Sequence, residues 1–452
     1  MATTVLRVNQ DLASAVREAE ERYAKANPRS AEYFAAAGHA MPGGNTRTTI
    51  HFSPFPLCMS KGEAGRLTDV DGHSYADFVN EYSAGLFGHS NPVILDAVRS
   101  AAADGIAFGA PNRFEAQLAA EVTRRFASMD RVRFCNSGTE ATLLALSTAR
   151  AMTGRPKIMA FEGAYHGSLL NFDRGGSPLN ASFPVVVSTY NDLECARADI
   201  YEHAASLAAV IVEPLQGGAG AIPGERGFLE GLRAACDECG VLLIFDEVMT
   251  SRLSPAGLQG VLNIRPDLTT LGKYLAGGLT IGAFGGRSDI MARFDPVAPN
   301  AWPHGGTFNN NVLAMAAGHA ALAKVLTAEA LESMNRQGDR LRHRLNDLAR
   351  RYDLPMQVTG AGSLFGIHFH YGQIRNVGDL RRGETGRESA IRLLKALFHL
   401  DMLAQGQYLS RRILANLSLE TTEADLDDLC AAVEEFLASR GALIREAVSK
   451  PE

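Results

Sequence analysis

The chain has 452 residues, 44 Lys+Arg against 50 Asp+Glu, and a net charge of −6. A composition of 46% hydrophobic and 21% charged residues, with 44 Gly and 18 Pro, excludes a disordered or fibrous chain and suits a globular protein of about two to three domains. The mildly acidic balance without a basic block excludes nucleic acid as the main partner. Six cysteines scattered over so long a chain exclude a disulfide framework.

Residues 1–40 read as two amphipathic helices parted at Asn27-Pro28. Residues 1–27 carry Arg7, Asp11, Arg17, Glu18, Glu20, Glu21 and Arg22 and lack the apolar core of a secretory signal. No run approaches the roughly 20 apolar residues of a membrane span, so the sequence predicts a soluble cytoplasmic protein with no membrane association. Met41-Pro42-Gly43-Gly44-Asn45 ends the helices, and Thr46–Phe52 reads as extended. Arg66–Phe78 reads as two short strands around Asp71-Gly72.

From Asn91 helical stretches alternate with short apolar runs: Val132–Phe134, Lys157–Phe161, Pro184–Ser188, Ala208–Val212, Val241–Phe245, Leu268–Leu271 and Gly282–Gly285. Runs without polar alternation suit strands buried on both faces of a mainly parallel sheet. The predicted fold class is therefore α/β. Residues 91–327 form the large domain, residues 1–90 an N-terminal segment, and residues 328–452 a smaller α+β domain. That last part opens with a charged helix, Ala330–Tyr352. It continues with strands about Gln357–Thr359, Ser363–His370 and Ile413–Leu417, and closes with helices across Glu423–Ala447.

Several motifs carry chemistry. In Asn136-Ser137-Gly138-Thr139-Glu140 a strand runs through small residues into a helix. The free N–H groups and positive dipole end of that helix make an anion cup, although Ser and Thr there also suit plain capping. Val241-Leu242-Leu243-Ile244-Phe245-Asp246-Glu247 is a buried strand with two carboxylates at its C-terminal end, the end that faces the ligand crevice of open α/β sheets. It is also explained by an acid paired with an arginine, or by a magnesium site. The missing G-x-x-x-x-G-K-[ST] loop argues against the magnesium site. In Leu271-Gly272-Lys273-Tyr274 an isolated lysine follows a strand, a candidate imine-former or simply a loop lysine. Tyr165-His166 in a glycine-framed turn suits stacking on a flat ring, and Gly305-Gly306-Thr307 is a second anion cup. Cys236-Asp-Glu-Cys239 has no second pair and reads as ordinary residues of a helix, so no metal site is expected. Phosphate cup, stacking aromatic, strand-end acid and isolated lysine together match the needs of pyridoxal phosphate.

On Asn136-Ser137-Gly138-Thr139-Glu140-Ala141, Tyr165-His166-Gly167, Val212-Glu213-Pro214, Phe245-Asp246-Glu247-Val248-Met249-Thr250 and Leu271-Gly272-Lys273, the chain resembles the class III aminotransferases of fold type I along nearly its whole length. The resemblance implies a large domain with a mainly parallel seven-stranded sheet, a smaller α+β domain, and an N-terminal segment shared with the small domain or a dimer arm. It implies that Lys273 binds pyridoxal 5'-phosphate and shuttles a proton, and that Asp246 pairs with the pyridine nitrogen. Val248 and Tyr165 then cover the two ring faces, Ser137, Gly138 and Thr139 hold the phosphate, and Glu213 lines the pocket. Thr307 reaches the phosphate of the neighbouring subunit in a homodimer.

Within the family the chain is similar to the β-phenylalanine aminotransferases in Asn45-Thr46-Arg47, Pro54-Phe55-Pro56-Leu57, Thr250-Ser251-Arg252-Leu253 and Thr307-Phe308-Asn309-Asn310-Asn311. Glutamate-1-semialdehyde aminomutases share its Asp246 and Lys273 segments but usually differ at the last two. Such an enzyme moves the amino group of a β-amino acid to 2-oxoglutarate or pyruvate in a ping-pong cycle. The donor and acceptor carboxylates lie at different distances from the reacting carbon, which favours two bidentate arginines. By resemblance these are Arg47 and Arg412, with Arg411 the rival of Arg412 and Gln405–Ser410 departing from the pattern. The reading from another class is a pyridoxal-phosphate-binding protein without turnover.

Overall fold

The computed structural model describes residues 11–448, so the expectations for residues 1–10 and 449–452 lie outside the described residues. The chain divides into two units, one of Met1–Tyr82, Gln337–Ile374 and Gly378–Glu452, the other of Ser83–Arg336 and Arg375–Val377. The divisions fall at 82/83 and 336/337, where the sequence predicts 90/91 and 327/328. The second falls inside a single helix, Ala328–Arg351.

The large unit is built on seven strands: β1 (Arg131–Cys135), β2 (Lys157–Phe161), β3 (Val185–Ser188), β4 (Leu207–Val212), β5 (Leu242–Asp246), β6 (Leu268–Gly272) and β7 (Gly282–Gly286). Their order across the sheet is β1-β7-β6-β5-β4-β2-β3. Only β7 runs antiparallel to its neighbours, which gives the mainly parallel sheet expected. Parallel strands need crossovers, and the helices that make them cover both faces. Side chains alternate across a strand. Ile158, Ala160, Ile211, Leu242, Ile244 and Leu268 share one buried cluster with Ala141, Ala145 and Ala149 of the helix Gly138–Thr153. Phe161, on the opposite face, packs edge-on against Phe228 of the helix Arg226–Cys239 at 5.4 Å. The inner strands β4, β5, β6 and β7 are therefore a sealed middle layer, buried at every position, while the edge strands β1 and β3 keep exposed positions. β7 meets its neighbours through glycine: a Cβ on Gly282 would come within 2.0 Å of the Ser137 carbonyl oxygen.

The small unit holds a four-stranded sheet in the order Met59–Glu63, Arg66–Asp69, Ser74–Asp77, Gln407–Tyr408, and a three-stranded sheet of Met356–Ala361, Leu364–Phe369 and Leu414–Asn416. The N-terminal helices are Leu12–Ala26 and Pro28–Gly38. The C-terminal region Glu423–Ala447 is one 25-residue helix, opened by a Thr422–Asp425 capping box, where the sequence suggests more than one. The extended reading of Thr46–Phe52 is corrected. Arg47 is extended (φ −133, ψ 112), but Thr48–Ile50 is a 3-10 turn. The causes are local: Asn45 Oδ1 accepts from Arg47 N at 2.9 Å, and Tyr82 Oη donates to the Thr49 carbonyl at 2.8 Å. No single helix among the described residues is long and apolar enough to cross a membrane.

Candidate active site

The C-terminal ends of β1, β2, β4, β5 and β6 lie at one edge of the large sheet, where open α/β sheets place their ligand crevice. Sheet register aligns them. Cys135 of β1 pairs with Gly282 of β7, which pairs with Gly272 of β6. Asp246 of β5 pairs with Thr270 of β6, three residues before Lys273. Ser137–Thr139, His166, Glu213, Asp246 and Lys273 thus follow or end neighbouring strands.

Asp246 is 5% exposed. Its Oδ2 lies 2.8 Å from His166 Nδ1. Its Oδ1 accepts from Val248 N at 3.1 Å and from Thr270 Oγ1 at 3.2 Å. A carboxylate offers about four acceptor positions, so one remains. His166 is 1% exposed and its Nε2 has no partner. The turn that holds it is pinned by His166 N donating to the Leu170 carbonyl at 2.8 Å and Thr142 Oγ1 donating to the His166 carbonyl at 2.6 Å. Where the sequence suggests His166 for stacking beside Tyr165, the structure sets it against Asp246, and Thr270 is a contributor that the sequence alone does not assign. The only signal for His166 is its place beside Tyr165.

Strand alternation separates the two strand-end acids. Asp246 shares the face of Leu242 and Ile244, under the helix Gly138–Thr153. Glu247 turns to the opposite side and is fully buried. There it accepts from Leu258 N, Gln259 N and Thr250 Oγ1, each at 2.8 Å. Burial raises its pKa, against those hydrogen bonds. It anchors the start of the helix Gly257–Leu262 and takes no part in the crevice.

At the end of β1, Ser137 caps the helix: its Oγ accepts from Glu140 N at 3.1 Å. Thr139 Oγ1 accepts from Ser168 N at 3.3 Å. Both hydroxyls use oxygen lone pairs in these bonds and keep a proton to donate, so capping and anion binding coexist. Gly138 lets the Val248 side chain in, since a Cβ there would lie 3.1 Å from Val248 Cγ1. Gly272 lies against the same valine, where a Cβ would stand 3.5 Å from Cγ1. Lys273 follows, half-buried, in the left-handed region at φ 54. A non-glycine residue there carries about 1–3 kcal/mol of strain that the surroundings must hold.

Glu213, just beyond β4, is 5% exposed. It accepts from Tyr165 N and Gly217 N, each at 3.0 Å. Burial pushes its carboxyl up to about 7, with His166 pulling against that and Asp246 adding to it. Tyr165 is 44% exposed and packs its Cβ close to Gly218. Thr307 sits exposed in a turn. That turn is tied to the end of β1 by Asn136 Nδ2 donating to Asn309 Oδ1 at 3.0 Å. Among the described residues no group of three or more His, Cys, Asp or Glu side chains could hold a metal ion.

Arg47 and Arg412 lie in the small unit. Each acts electrostatically on Tyr82, lowering the pKa that burial raises. The neighbouring Arg411 is different: it is partly buried near Glu20, and burial lowers its pKa. Ser410 closes a tight turn here, its Oγ donating to the Leu414 carbonyl at 2.7 Å. Arg411 is partly buried and Arg412 exposed.

The family profile described as Aminotransferase class-III matches residues 50–172 and 181–398. The chain belongs to the class III aminotransferases. It is 47% identical over 441 residues to the β-phenylalanine transaminase of Variovorax paradoxus, covering 97% of this chain and 99% of that one. The crystal structure of a β-phenylalanine aminotransferase from that organism superposes with a TM-score of 0.93, at 45% identity over 98% of this chain and 100% of that one. Glutamate-1-semialdehyde 2,1-aminomutase 2 of Geobacillus kaustophilus is 38% identical over 434 residues, 91% of this chain and 99% of its own length. A transaminase solved with pyridoxal phosphate bound is 32% identical with a TM-score of 0.83, over 93% of this chain and 99% of that one. As a class III aminotransferase the protein is a pyridoxal-phosphate-dependent transaminase of the α/β fold described above.

Proposed function

We propose that this transaminase takes the amino group of a β-amino acid with a β-phenylalanine-like side chain and passes it to an α-keto acid, 2-oxoglutarate or pyruvate. The observation that carries the donor class is the end-to-end 47% identity to the Variovorax paradoxus enzyme. By resemblance Arg47 and Arg412 form a pair of carboxylate sites, one for each partner of the exchange.

The residues of the crevice fit pyridoxal phosphate. The helix N-terminus at Gly138 with two donating hydroxyls suits a phosphate, and the one open acceptor position of Asp246 suits a protonated ring nitrogen. When bound, the cofactor supplies an electron sink for the carbon that exchanges its amino group. In our reading Lys273 Nζ is the covalent tether and the proton carrier. Asp246 keeps a proton on the ring nitrogen, with His166 and Thr270 fixing the carboxylate. Val248 and Tyr165 bound the two ring faces. Ser137, Gly138 and Thr139 hold the phosphate, and Glu213 holds the Tyr165 and Gly217 amides behind them. The exposed Thr307 reaches the phosphate of a second subunit, so the working unit is a homodimer, in the cytoplasm.

A panel of α-, β- and ω-amino donors against pyruvate and 2-oxoglutarate tests the assignment. β-Phenylalanine is expected among the fastest donors. Conversion of glutamate-1-semialdehyde together with inertness toward every β-amino acid would overturn it in favour of the aminomutase branch.

A further inference from the structure

The small unit gathers Arg47, Glu81, Tyr82, Tyr408 and Arg412 in one cluster, with Tyr408 feeling Tyr82, Glu81 and Arg47. Arg47 Nη1 is ion-paired to Glu81 Oε1. Among the described residues its Nε and Nη2 have no acceptor. A guanidinium binds a carboxylate best through two parallel N–H groups, and the Nε–Nη2 edge is such a pair. Arg412 has no acidic partner among the described residues. The two cations therefore differ: Arg47 is half-neutralised and Arg412 is not.

Glu81 also sits in a strained run of backbone that is tied down on both sides. Asn80, Glu81 and Tyr82 all have positive φ, at 41, 50 and 53. Three non-glycine residues in that region persist only where the surroundings over-determine them. Here Asp77 Oδ1 accepts from Val79 N at 2.8 Å and Asn80 N at 2.9 Å. Asn80 Nδ2 donates to the Asn416 carbonyl and Asn416 Nδ2 to the Val79 carbonyl, each at 2.8 Å. The Tyr82–Thr49 hydrogen bond ties this run to the segment that carries Arg47. An acid on so fixed a frame suits holding a guanidinium, not competing for it and leaving.

We propose that Glu81 is a positioning and specificity-determining residue. It holds Arg47 by Nη1 so that the Nε–Nη2 edge takes the single carboxylate of the amino donor. By offsetting Arg47 it leaves Arg412 the stronger anion site, for the keto acid. The inference rests on the reading of Arg47 and Arg412 as the substrate arginines.

The test uses holoenzyme and calorimetry with two unreactive acids: 3-phenylpropionate, the donor skeleton without its amine, and glutarate, the dicarboxylate skeleton of 2-oxoglutarate. Glu81→Ala is expected to weaken 3-phenylpropionate by up to about fivefold, the upper end for losing one exposed ion pair. It should leave glutarate unchanged or tighter, because a second unpaired cation appears. KM for β-phenylalanine should rise in step while kcat stays within about twofold, the pattern of lost uniform binding. Glu81→Gln, which keeps an acceptor but no charge, should fall between. Tighter 3-phenylpropionate binding in Glu81→Ala would make Glu81 a competitor and overturn the inference, as would equal or absent changes for both acids. Arg47→Ala is the control. If it weakens 3-phenylpropionate and the Glu81 variants do not, only this inference fails. If Arg47→Ala itself leaves that acid bound as in wild type, the donor reading fails and this inference with it.

Discussion

Asp246 spends three of its acceptor positions on Val248 N, Thr270 Oγ1 and His166, so its orientation is fixed and only its charge is left to act. Asp246→Asn keeps the shape and removes that charge. The expected result is a rate loss of about 10²–10⁴ with cofactor still bound, the usual range for such electrostatic and proton-holding groups. A loss below about tenfold would mean that another group holds the ring nitrogen. Lys273→Ala should fold, since alanine carries the same left-handed backbone as the lysine, and lose both the visible absorbance of the covalently held cofactor and turnover; near-normal turnover would refute its role. Glu213 gives a pH test. Its folded pKa of about 7 lies above its ordinary 4.5, so between those values the folded state holds the extra proton. Stability then declines as pH rises through that window, by about 3 kcal/mol at 1.36 kcal/mol per unit. Urea denaturation of Glu213→Gln at pH 5 and pH 8 should show a shallower decline than wild type. At this scale Lys273 and Asp246 stand out in the sequence only as members of a set, since a loop lysine or a strand-end acid alone has an ordinary explanation. The partnership of His166 with Asp246 does not: a buried histidine with one carboxylate partner carries no sequence mark until the chain folds its turn beside the end of β5.

The seven strands of the large sheet are legible in the sequence to within about a residue or two, and the reason is burial. Leu207–Val212 is buried at every position, so selection for an apolar interior leaves an unbroken apolar run. Met59–Glu63 leaves no such trace: it is an exposed edge strand of mostly polar residues. Gln407–Tyr408 pairs in parallel with Ala76–Asp77, a contact set by the fold and not by local pattern. Glu247 shows what an element end requires. Its carboxylate satisfies two amides at the start of the helix Gly257–Leu262 and the Thr250 hydroxyl. Glu247→Ala strands these buried donors, each costing about 1–3 kcal/mol. We expect a stability loss of about 3 kcal/mol or more by urea denaturation, whereas Asp246→Asn, next to it in sequence, should lose far less. Equal losses in the two variants would mean that strand alternation does not separate their roles.

At the scale of the whole molecule the chain has two units. Ser137, Asp246 and Lys273 come from the large one, Arg47 and Arg412 from the small one. The chemistry is legible in contiguous motifs of the large unit. The arginines come only from resemblance, because Arg47 and Arg412 are 365 positions apart by subtraction and neither sits in a motif that chemistry alone would single out. Of the neighbouring pair, Arg411 is partly buried and Arg412 is exposed. We expect Arg47 mainly to serve the β-amino acid and Arg412 mainly the keto acid. Losing a charge-paired contact of a bound substrate costs about 2–5 kcal/mol, or roughly 30-fold to several-thousand-fold in kcat/KM. The loss must be unequal between the two half-reactions, since each substrate relies on a different arginine. Arg47→Ala should cripple amino transfer from β-phenylalanine to the enzyme while the return reaction with 2-oxoglutarate suffers less, and Arg412→Ala should do the reverse. Single-turnover absorbance of each half-reaction measures both directly. Equal losses in both halves for both variants would reject the division of labour and leave the two guanidiniums acting as one anion site.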